Sequence, residues 1–317
     1  MAPRWRYGDR VIQHLVRTLA AEATTTRIGS AADLRAFRSR PSLEVHTVDQ
    51  AVVAGVQASG MGWAFAAGYQ AALARLDPQG MGGGVLASLC ATEEGGGHPK
   101  AIRSTLVANA GGNYALTGKK TWVTLGSDAS LLLVVASVGA DAEGRNRLRV
   151  ARVPSSRRGV TVQPGRPTPF APEIGHAVAS FEGVEVAAAE LLPGDGYDDA
   201  LKPFRTVEDI HVTAALLAWA LGVGRASGWS RAWTEDTLGA IVLLRALSDA
   251  PPSAPETHVV LAGAQREVAR LLEGAEWAKA AEPARLGWER DRKLLEVASS
   301  VRAARLEAAW KALAPRG

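Results

Sequence analysis

The segment Val85–Val138, VLASLCATEEGGGHPKAIRSTLVANAGGNYALTGKKTWVTLGSDASLLLVVASV, limits the fold more than any other part of the chain. An apolar run from Val85 to Ala91 breaks into a polar, Gly-rich turn, Thr92 to His98. Two alternating runs follow, joined by Ala110-Gly111-Gly112-Asn113. Then come Lys119-Lys120-Thr121-Trp122-Val123-Thr124, a second polar turn and the apolar run Leu131 to Val135. Short apolar runs rich in β-branched residues and bounded by Gly, Asn, Ser and Asp predict strands. Gly-Gly-Asn between two such runs predicts a tight hairpin. The segment reads as an antiparallel β-unit with two polar loops, each carrying a Thr, the second with Trp122 two residues before Thr124.

The flanks read as helices. Val11 to Glu22 has apolar residues at helical spacing, and Ser30-Ala31-Ala32-Asp33 has the form of an N-cap with an acid at N3. Thr47 to Ala54 and the Ala-rich Ala64 to Leu76 are two further helical patterns, the second suited to close helix packing. Asp77 to Gly84, rich in breakers, sets a boundary. Beyond Val138, strands are expected at Arg147–Val153, Gly159–Val162, His176–Phe181 and Val184–Val186, with a Pro-rich excursion through Pro164, Pro167, Pro169 and Pro172. Short strands at this spacing predict a small barrel or sandwich. Gly95-Gly96-Gly97 lacks the strand-to-helix context of a nicotinamide site. Helices are expected at Pro203–Arg231, Leu238–Leu247, His258–Ala281 and Arg285–Leu313, an antiparallel four-helix bundle. The expected domains are residues 1–84, 85–186 and 187–317.

At 317 residues the chain has room for more than one domain. Cys90 is the single cysteine, so an internal disulfide is excluded and a cytoplasmic setting is expected. Inside an apolar strand, Cys90 reads as a small buried hydrophobe. The basic N-terminus has no apolar core of a secretory signal. No run reaches the roughly 18 uncharged apolar residues of a membrane span, and Val212 to Val223 reads as a core helix. The formal charge is +4. In its densest basic cluster, Arg147 and Arg149 alternate with Leu148 and Val150, as on the solvated face of a strand, with an anionic ligand as the alternative. No nucleic-acid partner is expected, since aromatics are not interleaved with the cations. His98, His176, His211 and His258 show no metal-ligand spacing and read as surface or capping residues.

Helices, a small β-domain and a helical bundle, in that order, resemble the acyl-CoA dehydrogenases. Cys90-Ala91-Thr92-Glu93-Glu94-Gly95-Gly96-Gly97-His98-Pro99 is similar to the family's A-x-T-E-P-G-x-G-S-D signature, with His98-Pro99 in place of Ser-Asp. Thr117-Gly118-Lys119-Lys120-Thr121-Trp122-Val123-Thr124 is similar to its G-x-K-x-W-x-T motif. Phe181 to Val186 and Leu191 to Gly194 are similar to the stretch that leads into its long helix. The resemblance is dense from about Val85 to Arg231.

The resemblance implies an α+β fold of the acyl-CoA dehydrogenase type: N-terminal helices, a central antiparallel β-barrel and a C-terminal helical bundle. It implies FAD as cofactor, with Trp122 over the isoalloxazine, Thr124 bonded near N5, Thr92 at the pyrimidine edge, and the Gly95–Gly97 backbone close to the cofactor. It also implies α,β-dehydrogenation of an acyl thioester, on CoA or on a carrier protein. Glu208, in Thr206-Val207-Glu208-Asp209, aligns with the family's early-helix base; the plainer reading is an acid complementing the helix dipole. Asp209 stands where the family has Arg. The bundle lacks the R-x-x-F-G motif by which a neighbouring subunit grips the FAD pyrophosphate. The implied assemblies are a homodimer, a homotetramer or a heteromer with a homologous subunit, one form being a non-catalytic half-site chain. An electron-transfer flavoprotein is the implied redox partner.

Overall fold

The computed structural model describes Val16, residues 27–40 and residues 46–314. The expected helix Val11–Glu22 lies outside the described residues except for Val16. The described chain divides into two compact units, one of residues 27–34, 46–72 and 206–314, the other of residues 35–40 and 73–205.

The second unit is built on one seven-stranded sheet: β1 (Ala87–Cys90), β2 (Thr105–Ala108), β3 (Tyr114–Thr124), β4 (Leu131–Ala140), β5 (Asn146–Pro154), β6 (Val160–Pro164) and β7 (His176–Val186), with path β1-β4-β2-β3-β7-β6 and β5 on β4. The β2–β3 hairpin forms at the expected place. Asn109 Oδ1 accepts from the N–H groups of Gly111 and Asn113, and Gly112 takes a φ of +76° that favours glycine. The expectation of purely antiparallel pairing is corrected: β1 and β2 both run parallel to β4. The whole hairpin intervenes between β1 and β4, and such a long connection is what parallel neighbours require. The two runs expected at His176–Phe181 and Val184–Val186 are one strand that continues through Gly183, φ +60°. Alternation holds on β5, where Arg147 is exposed while Leu148 and Val150 are buried. Cys90, Leu116, Leu132, Val134, Val153 and Phe181 belong to the core within the sheet.

The first unit is helical. Ser30 Oγ accepts from Asp33 N–H, while the Asp33 carboxylate accepts from Gly29 N–H, so the expected cap closes on itself at the start of α1 (Ala31–Arg38). Helices α2 (Thr47–Gln57) and α3 (Met61–Leu76) follow. After the sheet come α4 (Lys202–Ala226), α5 (Arg231–Leu247), α6 (Pro255–Glu273), α7 (Glu282–Asp291) and α8 (Ser299–Leu313). The single helix expected over Arg285–Leu313 is therefore two, separated by a 3-10 turn (Arg292–Glu296) and by Ala298, whose φ of +64° cannot continue a right-handed helix. Small residues set close helix contacts: a Cβ on Gly55 would strike the Ala215 carbonyl, and one on Gly68 would lie 2.7 Å from Val212 Cα. Five tryptophans form a second organising element. Trp277 stacks on Trp219 and Trp288 and meets Trp229 edge-on, and Trp229 meets Trp233 edge-on. The stretch Gly196–Ala226 is long and apolar enough to cross a membrane by length and composition, beyond the Val212–Val223 run; 67% of its most apolar window is buried. Its residues Ala214 to Leu221 are core.

Candidate functional site

The loop after β1 is closed by its own backbone. Glu93 N–H donates to Gly96 O at 3.1 Å and Gly96 N–H returns to Glu93 O at 2.9 Å. That tight turn puts Gly96 at φ +105°, so Gly96 is the position in this loop whose conformation calls for glycine. Gly97 lies beside Thr92, since a Cβ there would stand 3.3 Å from Thr92 Oγ1. The Thr92 carbonyl accepts from Thr121 N–H at 2.8 Å, which joins the first polar loop to β3.

The side-chain link between the two motifs is Glu93 with Lys120. Glu93 Oε1 takes Lys120 Nζ at 2.7 Å, Ser104 N–H at 3.0 Å and Ser104 Oγ–H at 2.8 Å; Oε2 takes Arg103 N–H at 2.7 Å. Lys120 is fully buried and Glu93 nearly so. Burial works against the Glu93 carboxylate, but hydrogen bonds from Lys120, Ser104 and Arg103 outweigh it and hold its pKa below the usual range. Burial pulls Lys120 below the usual lysine range, with Glu93 opposing. Gly118 belongs to the same construction, because a Cβ there would lie 2.7 Å from Ser104 Cα. Neither Glu93 nor Lys120 stood out in the sequence; their signal was the Thr-Glu and Gly-x-Lys pairs within the two motifs.

Past Lys120 the ladder changes. The β3–β7 register shifts between Lys120 and Val123. Trp122, within that shift, has φ +55°, a conformation that a bulky side chain adopts only when its surroundings impose it. The indole is 52% exposed. A core aromatic on a barrel strand is thereby excluded for Trp122. Its ring meets His176 edge-on with centroids 5.8 Å apart. His176 Nδ1 lies 3.4 Å from Thr124 Oγ1, and burial holds its imidazole below the usual range, so it is neutral at pH 7. Reading His176 as a scattered surface histidine is thus corrected: it packs under Trp122. Ser88 Oγ–H donates to Thr124 O at 2.6 Å, and Leu125, φ +56°, completes the turn.

Beside Trp122 opens a groove of about 1130 Å³, lined among others by Gly95, His98, Lys100, Arg166 and His176. Of the five residues expected around the cofactor, Gly95 and Trp122 line it, while Thr92, Gly97 and Thr124 do not. Thr124 joins Trp122 through His176, and Thr92 joins Gly97 and the backbone of Thr121. Cys90 is buried, and burial pushes its thiol up to about 12, so it is no nucleophile.

Glu208 belongs to the helical unit, half-buried in the second turn of α4. Its neighbour Asp209 receives Arg302 Nε at 3.0 Å and Arg305 Nη2 at 2.5 Å, both from α8. Arg305 also donates to Thr206 Oγ1 at 3.3 Å. On the next turn His211 donates from Nδ1 to Val207 O at 2.7 Å, which leaves Nε2 to accept from the Thr47 hydroxyl at 2.8 Å. Among the described residues no group of three or more His, Cys, Asp or Glu is placed to hold a metal ion.

Comparison with known proteins follows the same outline. Residues 88–184 match the family model of the acyl-CoA dehydrogenase middle domain. The probable acyl-CoA dehydrogenase YngJ of Bacillus subtilis (strain 168) is 28% identical over 147 residues, which is 46% of this chain and 37% of that protein. The matched stretch is thus well under half the length of that relative. Butyryl-CoA dehydrogenase from Megasphaera elsdenii has the same fold, with a TM-score of 0.64 over 98% of this chain and all of that one at 13% identity. FMN-bound TdsC from Paenibacillus sp. A11-2 gives a TM-score of 0.65 over 95% and 96% of the two chains at 17% identity.

Proposed function

From a chain that resembles the acyl-CoA dehydrogenase family in its middle domain and in its fold, we propose a flavin-dependent oxidoreductase that converts an acyl thioester to its α,β-enoyl form, with FAD as the cofactor. The observation that carries the reading is the strained, half-exposed Trp122 beside a roomy groove. An indole held out of the core at a conformational cost is the arrangement a planar ring ligand needs, and the residues present fit a flavin. A bound flavin would supply the hydride acceptor. Trp122 would cover the ring, His176 would fix the indole, and Thr124 and Thr92 would present hydroxyl and backbone groups at its edge. Gly95 and Gly97 would let the loop backbone approach.

Glu208 is the proposed base. Its carboxylate would take the proton from the carbon next to the thioester carbonyl, while the β C–H bond leaves with its electron pair as hydride and a C=C bond forms. Bound acyl chain would exclude water there and raise the carboxylate's basicity. The proposed setting is cytoplasmic, with an electron-transfer flavoprotein as the oxidant that restores the cofactor.

The test is spectroscopic. The purified protein should be yellow, and its visible band should bleach when an acyl-CoA is added without oxygen. Failure to take up FAD or FMN sinks the flavin reading, and bleaching that survives Glu208→Gln sinks the base. A second reading, a half-site subunit working with a homologous chain, is favoured by the apolar side chains exposed on α8, Val301 at 44%, Trp310 at 56% and Leu313 at 39%. A colourless protein that gains flavin only with a co-expressed homologue would support it. The same fold acting on a carrier-bound acyl group would show bleaching with an acylated carrier protein and none with acyl-CoA.

A further inference from the structure

The groove beside Trp122 gathers four exposed cations in one lining. Elsewhere in that unit several arginines are engaged by acids or carbonyls, while Arg75, Arg147 and Arg158 are exposed. Arg152 pairs with Asp77, Arg157 with Glu190, Arg145 with Asp141 and Glu143, and Arg149 donates to Leu192 O. In the groove, Lys100, Arg103, Lys119 and Arg166 are all exposed, and among the described residues their side chains make no ion pair or hydrogen bond. Opposing them are two carboxylates. Glu93 is already neutralised by Lys120, which leaves Glu94. Four like charges around one concavity repel each other and focus a positive field into it.

His98 adds a donor of defined position. Its Nδ1 accepts from Lys100 N–H at 3.2 Å, so the ring proton of the neutral form is on Nε2. His98 lines the same groove, in the place where the similar family motif has Ser. Trp122 stands at one part of this lining and the cations at others, within a volume that accommodates a nucleotide-sized ligand.

We propose that this groove is a phosphate subsite, in which Lys100, Arg103, Arg166 and the Nε2–H of His98 hold the phosphate or pyrophosphate of the nucleotide whose ring Trp122 covers. The inference rests on the flavin reading and deepens it. The chain holds the anionic arm of its cofactor with cations of its own β-unit. Phosphate oxygens accept charge-assisted hydrogen bonds from guanidinium and ammonium groups and relieve the repulsion among them.

The experiment compares riboflavin, FMN, FAD and inorganic pyrophosphate on the full chain and on Lys100→Gln/Arg166→Gln, two exposed positions whose replacement leaves the core untouched. Fluorescence titration should show FMN and FAD binding about tenfold or more tighter than riboflavin at low salt, an advantage that added salt erodes. The double variant should bind riboflavin as before and lose most of that advantage, and pyrophosphate should compete with FMN on the unaltered chain. Equal affinity for riboflavin and FMN, or an advantage that survives the double substitution, overturns the inference while leaving the flavin reading intact. If no flavin binds, the flavin reading fails. A rise in melting temperature with pyrophosphate, lost in the double variant, would then still establish the anion subsite, and no rise would overturn it too.

Discussion

Glu93 Oε1 and Lys120 Nζ are 2.7 Å apart in the interior of the sheet unit, and through this pair the Gly-rich loop after β1 is tied to the strand that carries Trp122. The carboxylate also takes both N–H groups of Arg103 and Ser104, so each of its oxygens is engaged. Such a pair is costly to break from one side only, because the survivor is a buried charge without a partner.

Lys120→Met should therefore cost about 3–5 kcal/mol of unfolding free energy. Glu93→Gln/Lys120→Met should cost less than Lys120→Met alone, since both charges are then gone. Urea denaturation of the single and double variants measures this; a double variant as damaged as the sum of its singles would show that the two residues do not act as a pair.

Stability should fall with acid in two windows. The folded pKa of His176 lies below 6.5 because of burial, and that of His46 lies below 6.5 through burial and Arg245, against Asp49 and Asp249. As pH drops below 6.5 the unfolded chain takes up those protons and the folded chain does not, so each group removes up to about 1.4 kcal/mol per pH unit until its folded pKa is passed. Glu93 is held below 4.5, and its contribution, present above 4.5, is lost as pH falls further. His176→Gln should flatten the upper window in a melting-temperature titration.

Trp122→Gly should leave the melting temperature unchanged or raise it, because glycine adopts φ +55° without the strain that tryptophan bears there and the indole is 52% exposed. The same change should weaken flavin binding about tenfold or more, the scale of one aromatic stacking contact. A large loss of stability would instead make Trp122 a structural residue.

Gly68→Ala should destabilise the helical unit by about 1–3 kcal/mol, the usual cost of forcing a methyl into a packed contact. The added Cβ would lie 2.7 Å from Val212 Cα and 2.8 Å from His211 O, neither of which can swing away as a side chain tip could. Chemical denaturation tests it, with Gly239→Ala as the control, since a Cβ there meets nothing within 4 Å.

Much of this was legible in the sequence because it is encoded over short distances. The Ser30–Asp33 cap and the Asn109–Asn113 hairpin turn are each settled by neighbouring residues and a few backbone bonds. The order of helices, strands and helices follows from periodicity in the same way, and the two motifs around Thr92 and Trp122 mark the region of the groove. The parallel seating of β1 on β4, the break at Ala298 and the stacking of Trp277 between Trp219 and Trp288 were not legible, since each depends on residues distant in sequence. In Lys119-Lys120 nothing local says which lysine is buried against Glu93 and which faces the groove; the pleat of β3 decides it. Likewise Trp122 leaves the core because the ladder slips between Lys120 and Val123, and His176 becomes its neighbour because β7 pairs there. By itself the sequence determined the elements and the residue types available for a ring and a phosphate. Tertiary structure decided which of them are aimed at one another, because register, burial and charge pairing are properties of strands that meet across long stretches of chain.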